Sequence, residues 1–239
     1  MTRAIAAGDG TRYASTMHSI GRRVNRWCLV TCVLLPIAVE GQGQVAGKVE
    51  IRDKKGLAND VDATLLWLEG AGLPNGAPQR TEVKTFDKTF LPGVVLLPVG
   101  STVAFPNQDP FDHNVFATSG PKVFDLGLYG QNETRTVTFE KAGLARIYCN
   151  VHAKMALTVL VHPTTHATRA DKGGRFQFTG VAPGTYTLRA WHERGGEKAM
   201  SITVPAAGDL VVSMDASRYK FVQHMDKTGK SYDARGRRY

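Results

Sequence analysis

Short segments in which apolar and polar residues alternate recur along this chain of 239 residues, from position 45 onward. Glycine, proline and asparagine separate these segments, and no stretch has the convincing 3.6-residue repeat of an amphipathic helix. The apolar members include Val49, Ile51, Val137, Phe139, Leu157, Val159, Tyr186 and Leu188. Val61, Ala63, Leu65 and Trp67 are expected to share one face of a further strand. The pattern predicts an all-β sandwich architecture.

Residues 1–41 have the features of a secretory signal peptide. Arg22, Arg23 and Arg26 precede an apolar run from Trp27 to Val39, which is shorter than the ~20 residues of a membrane-spanning helix. Met17 would give a leader of more usual length and is an alternative start. The residues after the arginine pair favour general secretion over the twin-arginine route. We therefore expect a periplasmic or secreted protein with no stable transmembrane span.

Cleavage near Gly41 would remove Cys28 and Cys32, which leaves Cys149 without a cysteine partner in the mature chain. Such a cysteine is either an idle buried thiol or a metal ligand. His152 and Met155 follow it at two-residue intervals, and these three soft donors are typical of copper. A second imidazole, from His113 upstream, would complete the two histidines, one cysteine and weak methionine of a blue-copper site.

These motifs carry a resemblance to a known family. Residues 80–162 resemble a plastocyanin-like cupredoxin, with one ligand in Asp-His-Asn-Val-Phe and three in Tyr-Cys-x-x-His-x-x-Met. The two-residue gaps are similar to the short ligand loop of amicyanin. The resemblance implies one type 1 copper ion with Met155 as the weak axial ligand. Asn114 and Asn150 are candidates to contact and orient the ligands, and in the family the residue beside the first histidine bonds across to the cysteine loop. Tyr148 precedes the cysteine on its strand and is expected to point to the opposite face, where it either packs or provides an electron route.

The resemblance further implies that electrons enter or leave at the edge of His152, within a ring of apolar residues. Positions available for that ring include Val151, Ala153, Pro110 and Phe111. Lys154 departs from the family pattern and would place a positive charge beside this exit. The redox partner is therefore expected to present an acidic face.

A second module surrounds the copper residues. Residues 171–191 resemble the second half of a carboxypeptidase-regulatory-like (transthyretin-like) β-sandwich, and its first half would lie before residue 74. We expect 44–73 plus 164–215 to form this discontinuous sandwich, with the cupredoxin domain 80–162 inserted. The alternative counts 45–68 as early strands of the copper domain and leaves a C-terminal sandwich of about fifty residues, which would bury too little apolar surface. The whole chain resembles bacterial periplasmic proteins labelled methylamine-utilisation proteins.

The formal net charge is +9, but much of the surplus lies in the tail 216–239, with seven Lys or Arg against two Asp. A nucleic-acid-binding protein would carry its charge as a stripe on the folded body, so no nucleic acid partner is expected. Two interpretations of the tail stay open. It is either a solvated, partly disordered end, or an electrostatic handle for an acidic redox partner or an anionic membrane surface.

Together these features predict a one-electron carrier that cycles between Cu(I) and Cu(II), with a cytochrome, dehydrogenase or oxidase as partner. An enzyme is not expected, because a multicopper oxidase or copper nitrite reductase needs further histidine-rich centres. The chain has seven histidines and no His-x-His motif. A copper-handling protein and a structural envelope module are the alternatives. The first usually has several cysteines or methionine clusters, and the second has no need of all four ligands.

Overall fold

The strands follow the alternating segments of the sequence. The computed structural model describes residues 43–232. A short 3-10 turn, Val61–Ala63, precedes β3. The strands of this range are β1 Gly43–Asp53, β2 Gly56–Leu57, β3 Leu65–Glu69, β4 Arg80–Glu82, β5 Lys84–Phe86, β6 Thr89–Leu91, β7 Val94–Pro98, β8 Ser101–Pro106, β9 His113–Ala117, β10 Phe124–Tyr129, β11 Thr134–Phe139, β12 Gly143–Cys149, β13 Ala156–His162, β14 Ala167–Arg169, β15 Arg175–Val181, β16 Gly184–His192, β17 Gly196–Val204 and β18 Leu210–Asp215. The predicted all-β class is confirmed for this part of the chain.

The middle of the chain folds around one hydrophobic core. A five-stranded sheet in the order β10-β9-β12-β13-β7 and a three-stranded sheet in the order β11-β8-β4 contribute to it. Phe105, Phe139 and Ile147 are fully buried between them. Because β9 and β12 are neighbours in the larger sheet, residues at their adjoining ends are brought close together. We call this unit the first sandwich.

A second core joins strands from both ends of the described range. β1 pairs antiparallel with β15 and parallel with β18, and β3 pairs antiparallel with β14 and β16. The two sheets bury a shared cluster of side chains that includes Leu66, Leu68, Phe176 and Leu188. We call this unit the second sandwich.

β3 differs from the predicted one-sided strand. Its residues Leu66 and Leu68 belong to the core of the second sandwich, whereas Leu65 and Trp67 belong to a separate cluster with Leu160 of the first sandwich. Both faces of β3 are therefore buried. The prediction that Val61 and Ala63 extend the same face as Leu65 and Trp67 is wrong. These two residues lie in a 3-10 turn, which rotates Val61 into the core of the second sandwich.

All described residues lie within one compact unit. None of the helical structure between residues 43 and 232 has the length and hydropathy that a membrane crossing requires. The predicted signal peptide, residues 1–41, and the last part of the basic tail, from residue 233, lie outside the described residues.

His192, at the end of β16, is fully buried, and its contacts favour the neutral imidazole. Its Nε2 lies 3.2 Å from the carbonyl oxygen of Asp60, and its Nδ1 accepts the backbone N–H groups of Arg194 and Gly195 at 3.3 Å each. Protonation at Nδ1 would remove this acceptor and leave three N–H groups facing one another. Burial lowers the pKa of His192, although the nearby Asp60 carboxylate partly opposes the shift.

We expect this histidine to make the metal-free protein less stable in acid. An unfolded histidine titrates near pH ~6.5, and the folded pKa is lower, so the unfolded state binds more protons between the two values. The contribution is present above pH ~6.5 and is lost as the pH falls through that window. His192→Asn keeps an acceptor but does not titrate, so the urea midpoint should fall less from pH 7.5 to pH 5. An unchanged slope in the variant would refute this assignment.

Candidate metal centre

The strand pairing brings the first two predicted ligands together. His113 opens β9 and Cys149 closes β12, and these antiparallel strands place Cys149 opposite Val115. His152 and Met155 follow in the short loop before β13. One ligand therefore comes from one strand and three from the end and following loop of its neighbour.

Three ligand atoms of this group face one another. The Sγ atom of Cys149 lies 3.6 Å from Nδ1 of His113 and 3.7 Å from Nδ1 of His152. Each of the three residues offers a ligand atom within 4.8 Å of the other two. His113 and Cys149 are fully buried, and His152 is partly exposed. These three residues could hold a metal ion between them.

The fourth predicted ligand lies in the same loop and the same core. Met155 is 1% exposed and belongs to the hydrophobic cluster that contains Cys149. Its N–H donates to the carbonyl of His152 at 3.0 Å, and its carbonyl accepts from the N–H of Cys149 at 3.1 Å. The loop is thus closed on itself by backbone hydrogen bonds. Such closure limits how far the ligands can move apart.

A buried carboxylate orients His113. Oδ2 of Asp109 lies 2.7 Å from Nε2 of His113, on the side of the ring opposite Cys149. The backbone N–H groups of Asp87 and Lys88 donate to the same carboxylate at 2.7 and 3.1 Å. Burial opposes ionisation of Asp109, but these hydrogen bonds outweigh it and hold its pKa below the ordinary value. An anionic partner at Nε2 keeps the proton there and leaves Nδ1 free to bind a metal.

The exposed edge of the centre is aromatic and positively charged. The ring of Phe111 packs against both histidine rings, at centroid distances of 5.4 Å for His113 and 5.5 Å for His152. The ammonium group of Lys88 lies over the same phenyl ring at 5.5 Å. Burial, the His113 ring and the Lys88 charge lower the pKa of His152 to about 4. The neutral imidazole, which is the form that binds metals, therefore prevails at neutral pH.

The three predicted surrounding residues all lie beside the ligands, but one bonds differently from expectation. The side chain of Asn114 donates to Asp125 at 2.6 Å rather than directly across to the cysteine loop, because the carboxylate is a charged and stronger acceptor. Asn150 accepts the backbone N–H of Lys227 at 2.9 Å. The ring of Tyr148 stacks on His224.

The other histidines of the described range do not join this centre. Between residues 43 and 232, the trio above is the one group of three His, Cys, Asp or Glu side chains close enough to share a metal ion. His162, His166, His192 and His224 lie outside it. His162 instead contacts the carbonyl of Thr164 through Nδ1 at 2.5 Å.

Asp109 and Lys88 were not predicted. Asp109 stands four residues before His113 in the sequence, and an acid close to a predicted metal-binding histidine is the signal that could have identified it. Lys88 lies in the β5–β6 turn, far from the ligand motifs in sequence. Its position depends on the fold, and nothing in the local sequence indicates it.

The donor set fits copper. A buried thiol, two imidazole Nδ1 atoms and a neighbouring thioether are soft or borderline ligands, which suit copper better than magnesium or calcium. The carboxylate of Asp109 contacts His113 from behind and does not belong to the group itself.

Comparison with known proteins gives partial matches. A family model described as polysaccharide lyase family 4, domain II, matches residues 164–212. That match does not confirm the predicted carboxypeptidase-regulatory-like module, which stays a prediction. No curated protein matches the chain.

Several solved copper proteins match part of the chain. The Cu-containing nitrite reductase (NirK) from Thermus scotoductus SA-01 is 28% identical over 39% of this chain and 25% of its own, with a TM-score of 0.34. A methionine-to-glutamine mutant of amicyanin with Cu(I) is 21% identical over 35% of this chain and 82% of its own, with a TM-score of 0.33. A Cu(I) methionine-to-alanine mutant of amicyanin is 19% identical over 40% of this chain and 99% of its own, with a TM-score of 0.34. The chain thus spans about a quarter of the nitrite reductase.

Proposed function

We propose that this chain is a type 1 copper protein that carries single electrons between partner proteins. The observation that carries the proposal is the convergence of Cys149 Sγ with Nδ1 of His113 and Nδ1 of His152. Met155, buried in the loop that follows Cys149, would be the fourth and weakest ligand of such a metal. When bound there, copper would supply a Cu(I)/Cu(II) couple whose potential the ligands tune.

The protein's part in this function is to hold the ligands still. His113 is fixed between Asp109 and the thiol, and the Cys149–Met155 loop is closed by its own backbone hydrogen bonds. The surrounding core excludes water from the thiol, which is fully buried. Ligands that keep one geometry in both oxidation states need little rearrangement, and this favours fast electron transfer.

We propose that electrons enter and leave at the edge of His152. This ligand is the partly exposed one of the three, and Phe111 covers its ring on one side. Lys88 places a positive charge at this edge, and the exposed Lys154 follows His152 by two residues in the same loop. A redox partner with an acidic docking face would be attracted to this edge.

Lys88→Glu should slow electron exchange with anionic reagents. At low ionic strength we expect the oxidation rate by hexacyanoferrate(III) to fall about three- to tenfold and the rate with a cationic ruthenium oxidant to rise. Stopped-flow kinetics at several salt concentrations would measure both. Lys172→Glu, an equal charge change in an exposed turn of the second sandwich, is the matched control. Equal rate changes in the two variants would show that exchange does not occur near Lys88.

The architecture proposed for this function is an inserted copper domain. The pairing of β1 with β15 and β18, and of β3 with β14 and β16, supports one sandwich made of residues 44–73 and 164–215. Residues 80–162 would then be the inserted domain. A periplasmic location and a chain that turns over no substrate are part of the same proposal, and they rest on the N-terminal sequence and on the histidine content.

The experiment that tests the proposal is a Cu(II) titration of the purified metal-free protein followed by visible absorption. A thiolate-bound type 1 site gives an intense band near ~600 nm that saturates at one copper per chain. Copper that binds without colour, or only as Cu(I), would favour copper handling instead. Saturation at several copper ions per chain would also contradict a single-site carrier.

A further inference from the structure

The C-terminal residues 217–232, here called the C-terminal strap, lie against the copper domain. They leave the second sandwich after β18 and reach the end of β12, where Cys149 stands. Tyr232 and Asp226 are buried in this segment, although Phe221, Val222 and Met225 are largely exposed. The strap is therefore a folded segment with one side against the protein.

Two hydrogen bonds join the strap to the cysteine loop. The hydroxyl of Tyr232 donates to the carbonyl of Cys149 at 3.3 Å. The backbone N–H of Lys227 donates to Oδ1 of Asn150 at 2.9 Å. The first contact is to the main chain of Cys149, and the second is to the side chain of the next residue, Asn150.

A third contact links the strap to the strand of the other buried ligand. The ammonium group of Lys227 pairs with Asp125, whose other carboxylate oxygen accepts the amide of Asn114 at 2.6 Å. Asn114 directly follows His113 in β9. Lys227 thus connects the loop of Cys149 with the strand of His113 through its backbone and its side chain.

A preformed turn and a ring stack hold the strap in place. Oδ1 of Asp226 accepts the backbone N–H groups of Thr228 and Lys230 at 2.8 and 2.9 Å, which fixes the turn that presents Lys227. The ring of His224 stacks on Tyr148 at a centroid distance of 4.4 Å and an interplanar angle of 22°. An open cleft of about 620 Å³ lies beside these contacts. No named strand lies between the end of β18 and residue 232, so the described part of the strap is attached at separate points rather than along a strand ladder.

We propose that the C-terminal strap is a positioning element of the metal centre, which clamps the Cys149 loop against the His113 strand. In this role Tyr232, Lys227 and His224 keep the loop closed, and they control how readily the thiol opens to solvent and how firmly its geometry is held. The part of the proposal that concerns exposure of the thiol applies to the metal-free protein and can be tested there. Its consequence for bound copper rests on the proposed function.

The first test is the alkylation rate of Cys149 in the metal-free full-length protein. Iodoacetamide labelling is read by mass spectrometry on the tryptic peptide that contains Cys149, which is separate from the peptide with Cys28 and Cys32. Tyr232→Phe removes one hydroxyl and should raise the rate about three- to tenfold, because the loop loses one hydrogen bond to its carbonyl. Tyr232→Phe combined with His224→Ala should raise it further.

Phe221→Ala is the matched control, since Phe221 is an exposed strap residue at 68% exposure. Its labelling rate should stay within about twofold of the wild-type rate, and urea midpoints would establish that all variants are folded. Labelling at the wild-type rate in both Tyr232→Phe and the double variant would overturn the clamp. A rate increase confined to the control would do the same.

The second test uses the copper-loaded proteins. The clamp predicts a changed Cu(II) hyperfine splitting in electron paramagnetic resonance spectra, and faster copper loss to a chelator, in Tyr232→Phe but not in Phe221→Ala. A blue wild-type protein with identical spectra and loss rates in all variants would overturn the clamp and leave the electron carrier standing. If the wild-type protein itself binds no copper, the electron carrier fails, and the labelling rates alone decide the clamp.

Discussion

Replacing Cys149 by serine is expected to abolish the intense visible absorption of the Cu(II)-loaded protein. The band requires a thiolate bonded to the metal, and Cys149 supplies the sulfur between the two facing imidazole nitrogens. A serine hydroxyl is a harder and much less acidic ligand, so Cu(II) affinity should also fall by at least about tenfold. Absorption spectra and competition with a coloured chelator would measure the two effects.

The other cysteines of the chain provide a matched control for this substitution. Cys28→Ser and Cys32→Ser, made in the uncleaved full-length protein, are the same chemical change in the predicted leader and should leave the spectrum unaltered. A blue spectrum that survives in Cys149→Ser would show that the colour arises elsewhere. Loss of the band in the control variants would point to a ligand in the leader.

Asp109→Asn is expected to raise the reduction potential of the copper site. The buried carboxylate contacts His113 on the side away from the thiol, and its negative charge favours Cu(II) over Cu(I). At an effective dielectric constant of about 20, loss of this charge is worth about 1–2 kcal/mol, or roughly 40–90 mV for a one-electron couple. Spectroelectrochemical titration would determine the shift.

The same substitution should also reduce the free energy of unfolding by about 1–3 kcal/mol. Asparagine replaces one carboxylate oxygen with an NH2 group, which would face the backbone N–H group of Asp87 or Lys88. That N–H group would then lack an acceptor. Asp112→Asn is the control, because Asp112 is an exposed acid adjacent to His113 in sequence. Equal potential shifts in the two variants would refute a specific role for the hydrogen bond from His113.

Much of the strand arrangement could be predicted from the sequence. The two-residue repeat depends on local alternation, and it identified segments such as β11 and β13. It failed at Val61–Ala63, where an apolar alternation forms a 3-10 turn. It also assigned β3 a single buried face, whereas Leu66 and Leu68 lie in the core of the second sandwich and the first sandwich covers Leu65 and Trp67.

The ligand motif likewise predicted that Cys149 and His152 lie together, since they are close in sequence, and the structure brings His113 to them. The residues that orient them were harder to predict. Asp109 acts through a hydrogen bond to His113, and Lys88 through a turn of a different hairpin. The tail, interpreted as a solvated end or an electrostatic handle, places Tyr232 against the carbonyl of Cys149. A contact across 83 residues leaves no periodic pattern in the sequence.

The most direct test of an electron-carrying copper site is a reversible potentiometric titration of the copper-loaded protein, followed at the visible band. The proposed site predicts one transition with one-electron Nernst behaviour, complete bleaching on reduction and full recovery of absorbance on reoxidation. Recovery should persist over repeated cycles, because the ligands stay in place in both states. A site that loses copper on reduction, or that cannot be reoxidised, would contradict the proposed function.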